Sequence, residues 1–443
     1  MRRRTMTAQT DIVDVVIIGG GFSGLMALHH LAKAGEGSFA IIEPGEHLGH
    51  GLAYSTTNMR HLLNVPAGKM SAFPDQPDHF INWLYAHHHA FQTGDYVPRC
   101  IYAQYIDSIV RATSARHIRQ RAVDIERDGI YKIKLDNGEV LHSRAVLLAT
   151  GNLLGNEAGH IPGAVSGWTH DYSALRNETG AVGIIGTGLT MVDAVLSLRE
   201  AGYKGKIIAA SRNGLLPEVH NDAPAVYEAP ISLPAQAPET LLSLLHAIRG
   251  EAKTCLSNQI TWQRVFDRWR PHFTEIWSKL DIAARRRFFK KFFTLWNVHR
   301  HRMAPEIRRF LDNEFSTGGL EVLKGSVRIT PQQNGFSFSA GQEKRDVSAV
   351  YDCRGGCFDI TQTGNALILN LHAKGIIQRH ETGWGIKADD FRVPPLGLDG
   401  SLLAIGPILI GEYFETTAVP ELRQQAQKAA SSLHDFLKLA RAA

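Results

Sequence analysis

The chain has 443 residues, and at about 100 to 200 residues per domain this length predicts two or three domains with well-buried cores. Hydrophobic residues make up 44% of the chain and charged residues 21%, which excludes disordered, collagenous and multi-span membrane proteins. The formal charge of +5, from 48 Lys and Arg against 43 Asp and Glu, is too small an excess to imply nucleic-acid binding.

Cysteine usage and the amino-terminal segment indicate a cellular compartment. Four cysteines are too few for a disulfide framework in a chain of this length and fit a reducing environment. The basic start Met1–Arg4 resembles that of a signal peptide, but the next apolar run leads directly into a glycine-rich turn without a cleavage site. No run reaches the about 18 apolar residues that a membrane-spanning helix needs. We therefore expect a cytoplasmic protein without integral membrane association.

The first recognisable unit is a strand, a tight turn, a helix and a second strand. Residues 12–18 form a β-branched apolar run, and Gly19–Gly24 follows with the pattern G-x-G-x-x-G. Leucines at helical spacing lead to a second apolar run at 39–42, which ends in Glu43. Such glycines admit a pyrophosphate, and a carboxylate at this position accepts hydrogen bonds from a ribose. The predicted dinucleotide contacts are Gly19, Gly21, Phe22, Ser23, Gly24 and Glu43.

A second unit of the same kind spans residues 181–212. Gly186 and Gly188 follow an apolar run, but Met191 replaces the third glycine. Where an NAD site would present a carboxylate, the chain has Ser211 and Arg212, which suit the 2′-phosphate of NADP. The pattern favours NADPH over NADH, and the alternative is that Arg212 is a solvated surface residue. The predicted contacts are Gly186, Gly188, Leu189, Thr190, Ser211 and Arg212.

The remaining pattern predicts an α/β fold with two Rossmann-like dinucleotide-binding domains. Each unit precedes a β-meander, at 123–141 and 327–347, and then a closing strand that ends in a glycine turn, at 145–151 and 348–355. We expect a first domain from residues 1–160 and 358–443, with a last strand at 401–406 and a helix from about Pro420. The second domain spans residues 181–357 and contains an insertion of three or four helices at about 236–315.

Four long and unusual segments carry a resemblance over nearly the whole chain: Gly49–Tyr54, His61–Pro66, Trp296–Pro305 and Gly411–Arg423. The chain resembles the flavoproteins with two dinucleotide-binding domains. Within them it is similar to a family of FAD/NAD(P)-binding proteins, distantly related to class B and N-hydroxylating flavin monooxygenases. The resemblance implies FAD in the first domain and NADPH in the second.

By this resemblance, residues 51–54 and 63–65 line the flavin, and Gly406 through Ala418 close over it. The helix that follows directs its amino terminus at the negative charge of the reduced flavin. An alternative for residues 63–65 is a structural loop capped by Asn64. The implied contacts are Tyr54, Leu63, Asn64, Val65, Gly406, Thr417 and Ala418.

Two related chemistries do not fit the sequence. Disulfide reductases carry a cysteine pair shortly after the ribose-binding acid, but residues 45–51 contain no cysteine, and Cys353 and Cys357 come too late. Baeyer–Villiger enzymes carry F-x-G-x-x-x-H before the second glycine motif. Alignment on His170 places Ala164 and Ser166 where Phe and Gly should stand.

Residues 285–309 combine nine Lys and Arg with several large apolar side chains. We expect an amphipathic helix with its aromatic side chains in a core and its cations in water. The following His299–Arg302 segment could present donors to an anionic substrate or to NADPH phosphates, with Arg300 as the candidate contact. Asn64 is the candidate for a polar contact to the flavin or a bound intermediate. No metal site is expected.

The sequence thus predicts an NADPH-dependent FAD-containing oxidoreductase. The favoured activity is that of a monooxygenase, acting with oxygen through a C4a-peroxyflavin on a small polar or anionic substrate. One alternative is an NADPH-dependent reductase that passes electrons to a quinone or a protein acceptor. The other is a flavin-bearing redox sensor or scaffold, against which the second glycine motif argues.

Overall fold

The computed structural model of the chain is organised around two sheets, one mixed and one parallel. In each sheet a parallel strand leads directly into a glycine turn. The structure describes residues 12–35, 37–88, 90–113, 115–155, 162–168, 172, 175, 178–221, 240–258 and 260–442. The Met1–Arg4 segment, His170 and residues 236–239 of the expected helical insertion lie outside the described residues.

The first sheet is assembled from both ends of the chain and has seven described strands. These are β1 (Ile12–Ile18), β2 (Phe39–Ile42), β3 (Arg116–Ile118), β4 (Ala122–Asp128), β5 (Ile130–Leu135), β6 (Val140–Leu148) and β15 (Leu402–Ala404). Their order is β3-β2-β1-β6-β5-β4, and β15 also pairs with β6 in parallel. The continuous apolar run of β1 is explained by burial on both faces. The end of the expected meander and the expected closing strand form one strand, β6, which pairs antiparallel with β5 and parallel with β1.

The second sheet repeats the parallel arrangement with five described strands in the order β10-β9-β8-β14-β7. These are β7 (Val165–Ser166), β8 (Val182–Ile185), β9 (Ile207–Ser211), β10 (Leu320–Lys324) and β14 (Ala349–Asp352). The meander expected at 327–347 is confirmed as a separate antiparallel sheet. Its strands are β11 (Val327–Gln332), β12 (Gly335–Ala340) and β13 (Glu343–Val347). The sequence did not predict β10.

Helices cover the first sheet and follow both glycine turns. On the first half these are α1 (Phe22–Ala34), α2 (Gly51–Tyr54), α3 (His79–His87), α4 (Arg99–Arg111), α12 (Ala366–Ala373), α13 (Ile410–Tyr413) and α14 (Val419–Ala442). The long α14 packs along α1, and α5 (Leu189–Glu200) follows the second glycine turn. Among the described residues, no helix has the length and apolar content needed to cross a membrane.

The helical insertion contains more helices than expected, because short turns divide it. Six are described: α6 (Leu241–Ser257), α7 (Trp262–Trp269), α8 (Phe273–Lys279), α9 (Ile282–Lys291), α10 (Phe293–Arg300) and α11 (Pro305–Ser316). Ile307 and Leu311 of α11 join the core of the second sheet. We call α6–α10 the helical layer. Its own apolar core includes Ile410 and Phe414, which come from the segment between β15 and α14.

The amphipathic helix expected before His299 is divided in two, since α9 ends at Lys291 and α10 follows from Phe293 to Arg300. His299 and Arg300 therefore lie within α10 and not after the helix. The expected burial of aromatic side chains is confirmed for Phe288 and Trp296, which lie in the core of the helical layer. The expectation that the cations lie in water fails for three arginines, which have carbonyl or carboxylate partners in the protein interior. These are Arg285, Arg300 and Arg302.

Candidate functional site

The first glycine turn lies at the carboxyl end of β1. Gly19 has a φ of +102°, and a Cβ at this position would lie 2.2 Å from the carbonyl oxygen of Ala149. A Cβ on Gly24 would lie 1.9 Å from the carbonyl oxygen of Gly19. Both glycines are therefore required by the close packing of strand, turn and helix.

Gly21 has a different role, because its missing side chain leaves open space. Its φ is −70°, and the nearest described atom to a Cβ there would be the Cα of Gly51, at 3.7 Å. Phe22 and Ser23 begin α1 directly behind it, and a helix amino terminus attracts anions. The hydroxyl of Thr150, buried just after β6, has no hydrogen-bond partner in the described part of the chain. Open space, amide donors and an unsatisfied hydroxyl fit a dinucleotide pyrophosphate.

Glu43 directly follows β2 and is held beside this turn. Its Oε2 accepts a hydrogen bond from the backbone nitrogen of Gly20 at 2.8 Å, and its Oε1 accepts one from Gly45 at 2.9 Å. An ionised carboxylate offers about four acceptor positions, so these two bonds leave acceptor capacity for a ribose.

The segment after Glu43 returns to the glycine turn. The backbone nitrogen of Gly49 donates to the carbonyl oxygen of Gly20 at 2.6 Å, directly before α2. Tyr54 ends α2, and its ring centroid lies 4.8 Å from that of Tyr102. Burial raises the pKa of the Tyr54 hydroxyl further above neutral pH.

Residues 63–65 alternate between the core of the first sheet and the junction of the two halves of the molecule, each half being built on one of the two sheets. Leu63 and Val65 are buried in the core of the first sheet, whereas Asn64 is half-buried. The Asn64 carbonyl oxygen lies 3.0 Å from Nε2 of His220, which belongs to the second half. Burial and the nearby Arg302 lower the pKa of His220 to about 4, so its neutral ring donates this hydrogen bond.

The carboxyl-terminal segment turns back to the first glycine motif at Gly406. This residue has a φ of +85°, and a Cβ on it would lie 3.8 Å from Oγ of Ser23. The Thr416 hydroxyl donates to the Gly406 carbonyl oxygen at 2.8 Å. Thr417 and Ala418 follow, directly before α14. The structure therefore brings the two ends of the expected FAD site together.

The second glycine turn reproduces the geometry of the first. Gly186 has a φ of +105°, and a Cβ there would lie 2.6 Å from the carbonyl oxygen of Cys353. Gly188 precedes α5, and no atom of the described residues would lie within 4 Å of a Cβ on it. Met191, at the third position of the motif, is fully buried in the core of the second sheet. The helical residues behind the turn are Leu189 and Thr190.

Ser211 and Arg212 stand at the carboxyl end of β9. The Ser211 hydroxyl lies 2.8 Å from that of Thr187 and accepts a hydrogen bond from the backbone nitrogen of Gly214 at 3.0 Å. The Arg212 side chain is exposed. Ser211 thus has partners inside the protein, while Arg212 presents its charge at the surface beside the second turn.

His61 joins the two halves next to the glycine turns. Its Nδ1 lies 2.8 Å from the Thr56 hydroxyl. Its Nε2 lies 3.0 Å from the carbonyl oxygen of Asp193 and 2.9 Å from the Ser197 hydroxyl, both on α5. Burial lowers the pKa of His61 and favours the neutral ring. The residues before Asn64 are thereby fixed to the helix that follows the second glycine turn.

An ion pair makes a second connection at the same place. Arg99, the first residue of α4, pairs with the Asp193 carboxylate at 2.7 Å and donates to the carbonyl oxygen of Leu62 at 3.0 Å. The structure thus links the segment expected to line the flavin to the helix expected to bind NADPH.

The structure corrects the expected role of Arg300. Its side chain lies at the end of α10, is 7% exposed and pairs with the Glu415 carboxylate at 3.0 Å. Burial opposes its charge, but Glu415 and Glu421 outweigh burial and raise the pKa of Arg300. A buried and neutralised guanidinium does not fit a direct contact with substrate or NADPH. Arg300 instead holds the segment that precedes α14.

Sequence reasoning missed four of these residues because their partners lie far away along the chain. His61 and Glu415 lie inside two of the segments that carry the family resemblance. The sequence therefore indicated that these segments matter, but not which contacts the two residues make. Arg99 and Asp193, which are 94 positions apart, had no local signal at all.

Thiol chemistry has little support. All four cysteines lie in the described part of the chain, and no disulfide joins any two of them. Burial raises the pKa of both Cys353 and Cys357, which disfavours the thiolate that disulfide exchange requires.

Comparisons with known proteins agree with this geometry. Residues 16–153 match the family model described as FAD-NAD(P)-binding. No curated protein sequence matches the chain. The reduced ornithine hydroxylase of Pseudomonas aeruginosa superposes with a TM-score of 0.65 at 15% identity, covering 96% of this chain and 100% of that one.

Two further solved structures cover 96% of this chain and 99% of their own. The ornithine N-hydroxylase of Kutzneria sp. 744, with reduced FAD, NADP+ and L-ornithine in its description, has a TM-score of 0.66 at 12% identity. The bacillithiol disulfide reductase of Staphylococcus aureus has a TM-score of 0.58 at 14% identity. The chain therefore has the fold of the FAD- and NADPH-binding flavoproteins, and the family match falls on the first part of its first domain.

Proposed function

We propose that the protein is an NADPH-dependent, FAD-containing monooxygenase that acts in the cytoplasm on a small polar or anionic substrate. Two glycine turns of the same geometry support two dinucleotide sites, each at the carboxyl ends of parallel strands in its sheet. Glu43 suits the FAD ribose, and Arg212 suits the 2′-phosphate of NADPH. We place the FAD domain at residues 1–160 and 358–443, and the NADPH domain at residues 181–357.

The proposed FAD site has a candidate partner for each part of its ligand. Gly19, Gly21 and Gly24 shape the phosphate turn, and Glu43 faces the ribose. The segments 51–54, 63–65 and 406–418 would surround the flavin, which when bound accepts hydride from NADPH and activates oxygen. The amino terminus of α14 would lie near the negative charge of the reduced flavin and stabilise it.

One structural feature favours the monooxygenase over the alternative reductase. The helical layer covers the segment that closes the expected flavin site, and its core buries Ile410 and Phe414 to 2% and 5% exposure. Oxygen activation at a reduced flavin requires a site from which water is excluded. Electron transfer to a quinone or a protein acceptor requires no such cover.

The neighbouring structures suggest the first substrates to test. Two of them are ornithine hydroxylases by description, so small amino acids with a side-chain amine are the first candidates. The proposed overall reaction consumes NADPH, a proton, oxygen and substrate. It yields NADP+, water and a product that carries one oxygen atom from O2.

The test is turnover of the purified, FAD-loaded protein with NADPH under 18O2 and a panel of amino acids and diamines, followed by mass spectrometry. The proposal predicts one product whose mass rises by one 18O atom and whose formation matches NADPH consumption. NADPH oxidation that yields only hydrogen peroxide with the whole panel, together with faster reduction of a quinone, would favour the reductase.

A further inference from the structure

The helical layer holds the segment between β15 and α14 through several contacts. The Trp277 ring stacks on that of Phe414, with 4.6 Å between centroids and 19° between planes. Trp277 also donates from Nε1 to the carbonyl oxygen of Gly411 at 3.0 Å. Arg270 pairs with Glu421, in the first turn of α14, through two hydrogen bonds of 2.7 Å. The position of this segment therefore depends on the helical layer as well as on the first sheet.

The Arg300 and Glu415 pair lies at the centre of these contacts. The two side chains are 7% and 6% exposed, so water does not compete with their hydrogen bonds. Phe414, directly before Glu415, has a φ of +56°, which side chains with a Cβ rarely adopt. Such a conformation persists where its surroundings hold it in place, and it is often found at functional sites.

The chain and a set of buried hydrogen bonds connect this pair to Gly406, which lies beside the first glycine turn. Thr416 follows Glu415, is fully buried and donates to the carbonyl oxygen of Gly406 at 2.8 Å. The Gln425 side chain accepts from the Gly406 backbone nitrogen at 2.9 Å and donates to the Thr416 hydroxyl at 3.0 Å. Gly406 in turn lies beside Ser23, at the start of α1. A displacement of Glu415 would therefore reach the site of the cofactor.

We propose that Arg300 and Glu415 are positioning residues that fix Thr417, Ala418 and the start of α14 against the flavin. By this role the helical layer sets the affinity and the reduction potential of the cofactor without touching it. The inference rests on the proposed function, because it requires FAD between the first glycine turn and α14. A buried ion pair suits this role, since its two-point geometry admits one arrangement of the segment.

The test uses Glu415→Gln, which removes the charge at nearly constant shape, and Arg300→Lys, which keeps the charge but loses the two-point contact. The matched control is Glu314→Gln, which breaks the similarly buried pair between Arg199 and Glu314 beside the second sheet. For each variant we would measure the thermal midpoint, the dissociation constant of FAD from the reconstituted apoprotein, the visible flavin spectrum and the midpoint potential.

We expect Glu415→Gln to weaken FAD binding at least tenfold, shift the flavin spectrum and lower the midpoint potential. Arg300→Lys should change the FAD affinity, the flavin spectrum and the midpoint potential in the same direction, but by smaller amounts. Glu314→Gln should lower the thermal midpoint and leave the flavin properties unchanged.

Folded Glu415→Gln and Arg300→Lys proteins with wild-type flavin properties would overturn the inference, as would an equal flavin effect of Glu314→Gln. If Glu415→Gln does not fold, Arg300→Lys decides. A wild-type protein that binds no FAD would overturn the proposed function itself, and the inference with it.

Discussion

The glycines of the two turns divide into two physical classes. Gly19 and Gly186 have positive φ and backbone atoms of the neighbouring strand within 3 Å of a Cβ position, so packing alone demands glycine there. Gly21 and Gly188 have ordinary backbone angles and open space in front of them. The fold has room for a methyl group at Gly21 and Gly188, so glycine is needed at these two positions only if a ligand lies against them.

Gly21→Ala should therefore leave folding intact and impair FAD binding. We expect a change of less than about 1 kcal/mol in the free energy of unfolding, because alanine adopts the native φ of −70° without strain. The added methyl group would keep the pyrophosphate away from the backbone and weaken FAD binding at least about tenfold, or about 1.4 kcal/mol. Denaturant unfolding and flavin fluorescence titration measure the two effects.

Gly19→Ala is the contrasting variant, and it should destabilise the apoprotein by about 2 kcal/mol or more because of its clash and its positive φ. A Gly21→Ala protein with wild-type FAD affinity would show that no phosphate approaches this turn.

Arg212 should determine the preference for NADPH. Arg212→Gln is expected to raise KM for NADPH by about tenfold to one hundredfold and leave KM for NADH unchanged, since a hydrogen bond to a charged group contributes about 1.5 to 3 kcal/mol. Steady-state kinetics with NADPH and with NADH measure the two KM values. Arg328→Gln, at another exposed arginine of the second half, is the control. Equal changes for both nucleotides would contradict a contact with the 2′-phosphate.

Helix α5 connects the proposed NADPH site with the first half of the molecule. It begins at the second glycine turn and carries the contacts with His61 and Arg99. Its orientation determines where a nucleotide bound at the second turn meets the first half. The Asp193 carboxylate is the part of this connection that a substitution can remove without a change of shape.

Asp193→Asn should slow flavin reduction by NADPH about tenfold and leave FAD affinity unchanged. The reason is that the variant loosens the link between the halves and leaves the FAD site intact. Loss of the half-buried pair with Arg99 should also lower the free energy of unfolding by about 1 to 2 kcal/mol. Anaerobic rapid mixing measures the reduction rate.

The control is Asp312→Asn, in the exposed pair with Arg308, which should change neither quantity measurably. An unchanged reduction rate in Asp193→Asn would show that this ion pair does not align the halves.

The sequence predicted the elements whose information is local. Both strand–turn–helix–strand units, the second meander and the helix from about Pro420 are confirmed, because continuous apolar runs and glycine spacing are written in consecutive residues. The helix count of the insertion was too low, since the breaks beside Pro271 and Phe292 are short and the apolar pattern continues across them.

The candidate site could be predicted only in part. The glycine turns and Glu43 follow from a motif whose spacing is fixed by its geometry. The pairing of Arg300 with Glu415 joins residues 115 positions apart, and periodicity contains no information about such partners. The cluster of donors at His299–Arg302 therefore suggested a ligand contact for Arg300, whereas the Glu415 carboxylate of the same chain neutralises it.

Two half-buried histidines, His30 and His220, make the stability of the molecule depend on pH. Burial, followed by the neighbouring His29, lowers the pKa of His30 to about 4, and burial with Arg302 does the same for His220. An unfolded histidine titrates near about pH 6.5, so between about 6.5 and 4 the unfolded chain binds protons that the folded chain does not. The stabilising contribution is complete above about pH 6.5 and decreases as the pH falls towards 4.

The thermal midpoint should accordingly fall between pH 7 and pH 5, and more steeply in wild type than in His30→Gln. Each unit of pKa difference corresponds to about 1.4 kcal/mol. Calorimetry across this range measures the slope. A midpoint that is constant from pH 7 to pH 5 would show that these rings are not buried as neutral groups.

The proposed oxygen chemistry needs both sheets and the helical layer together, and one rapid-mixing measurement tests it most directly. The FAD-loaded protein is reduced anaerobically with NADPH and mixed with oxygenated buffer while the flavin absorbance is followed. We predict a transient spectrum that matches neither reduced nor oxidised flavin and decays faster with a true substrate. Direct return to oxidised flavin would contradict the monooxygenase and favour the reductase, and failure of NADPH to reduce the flavin would contradict both.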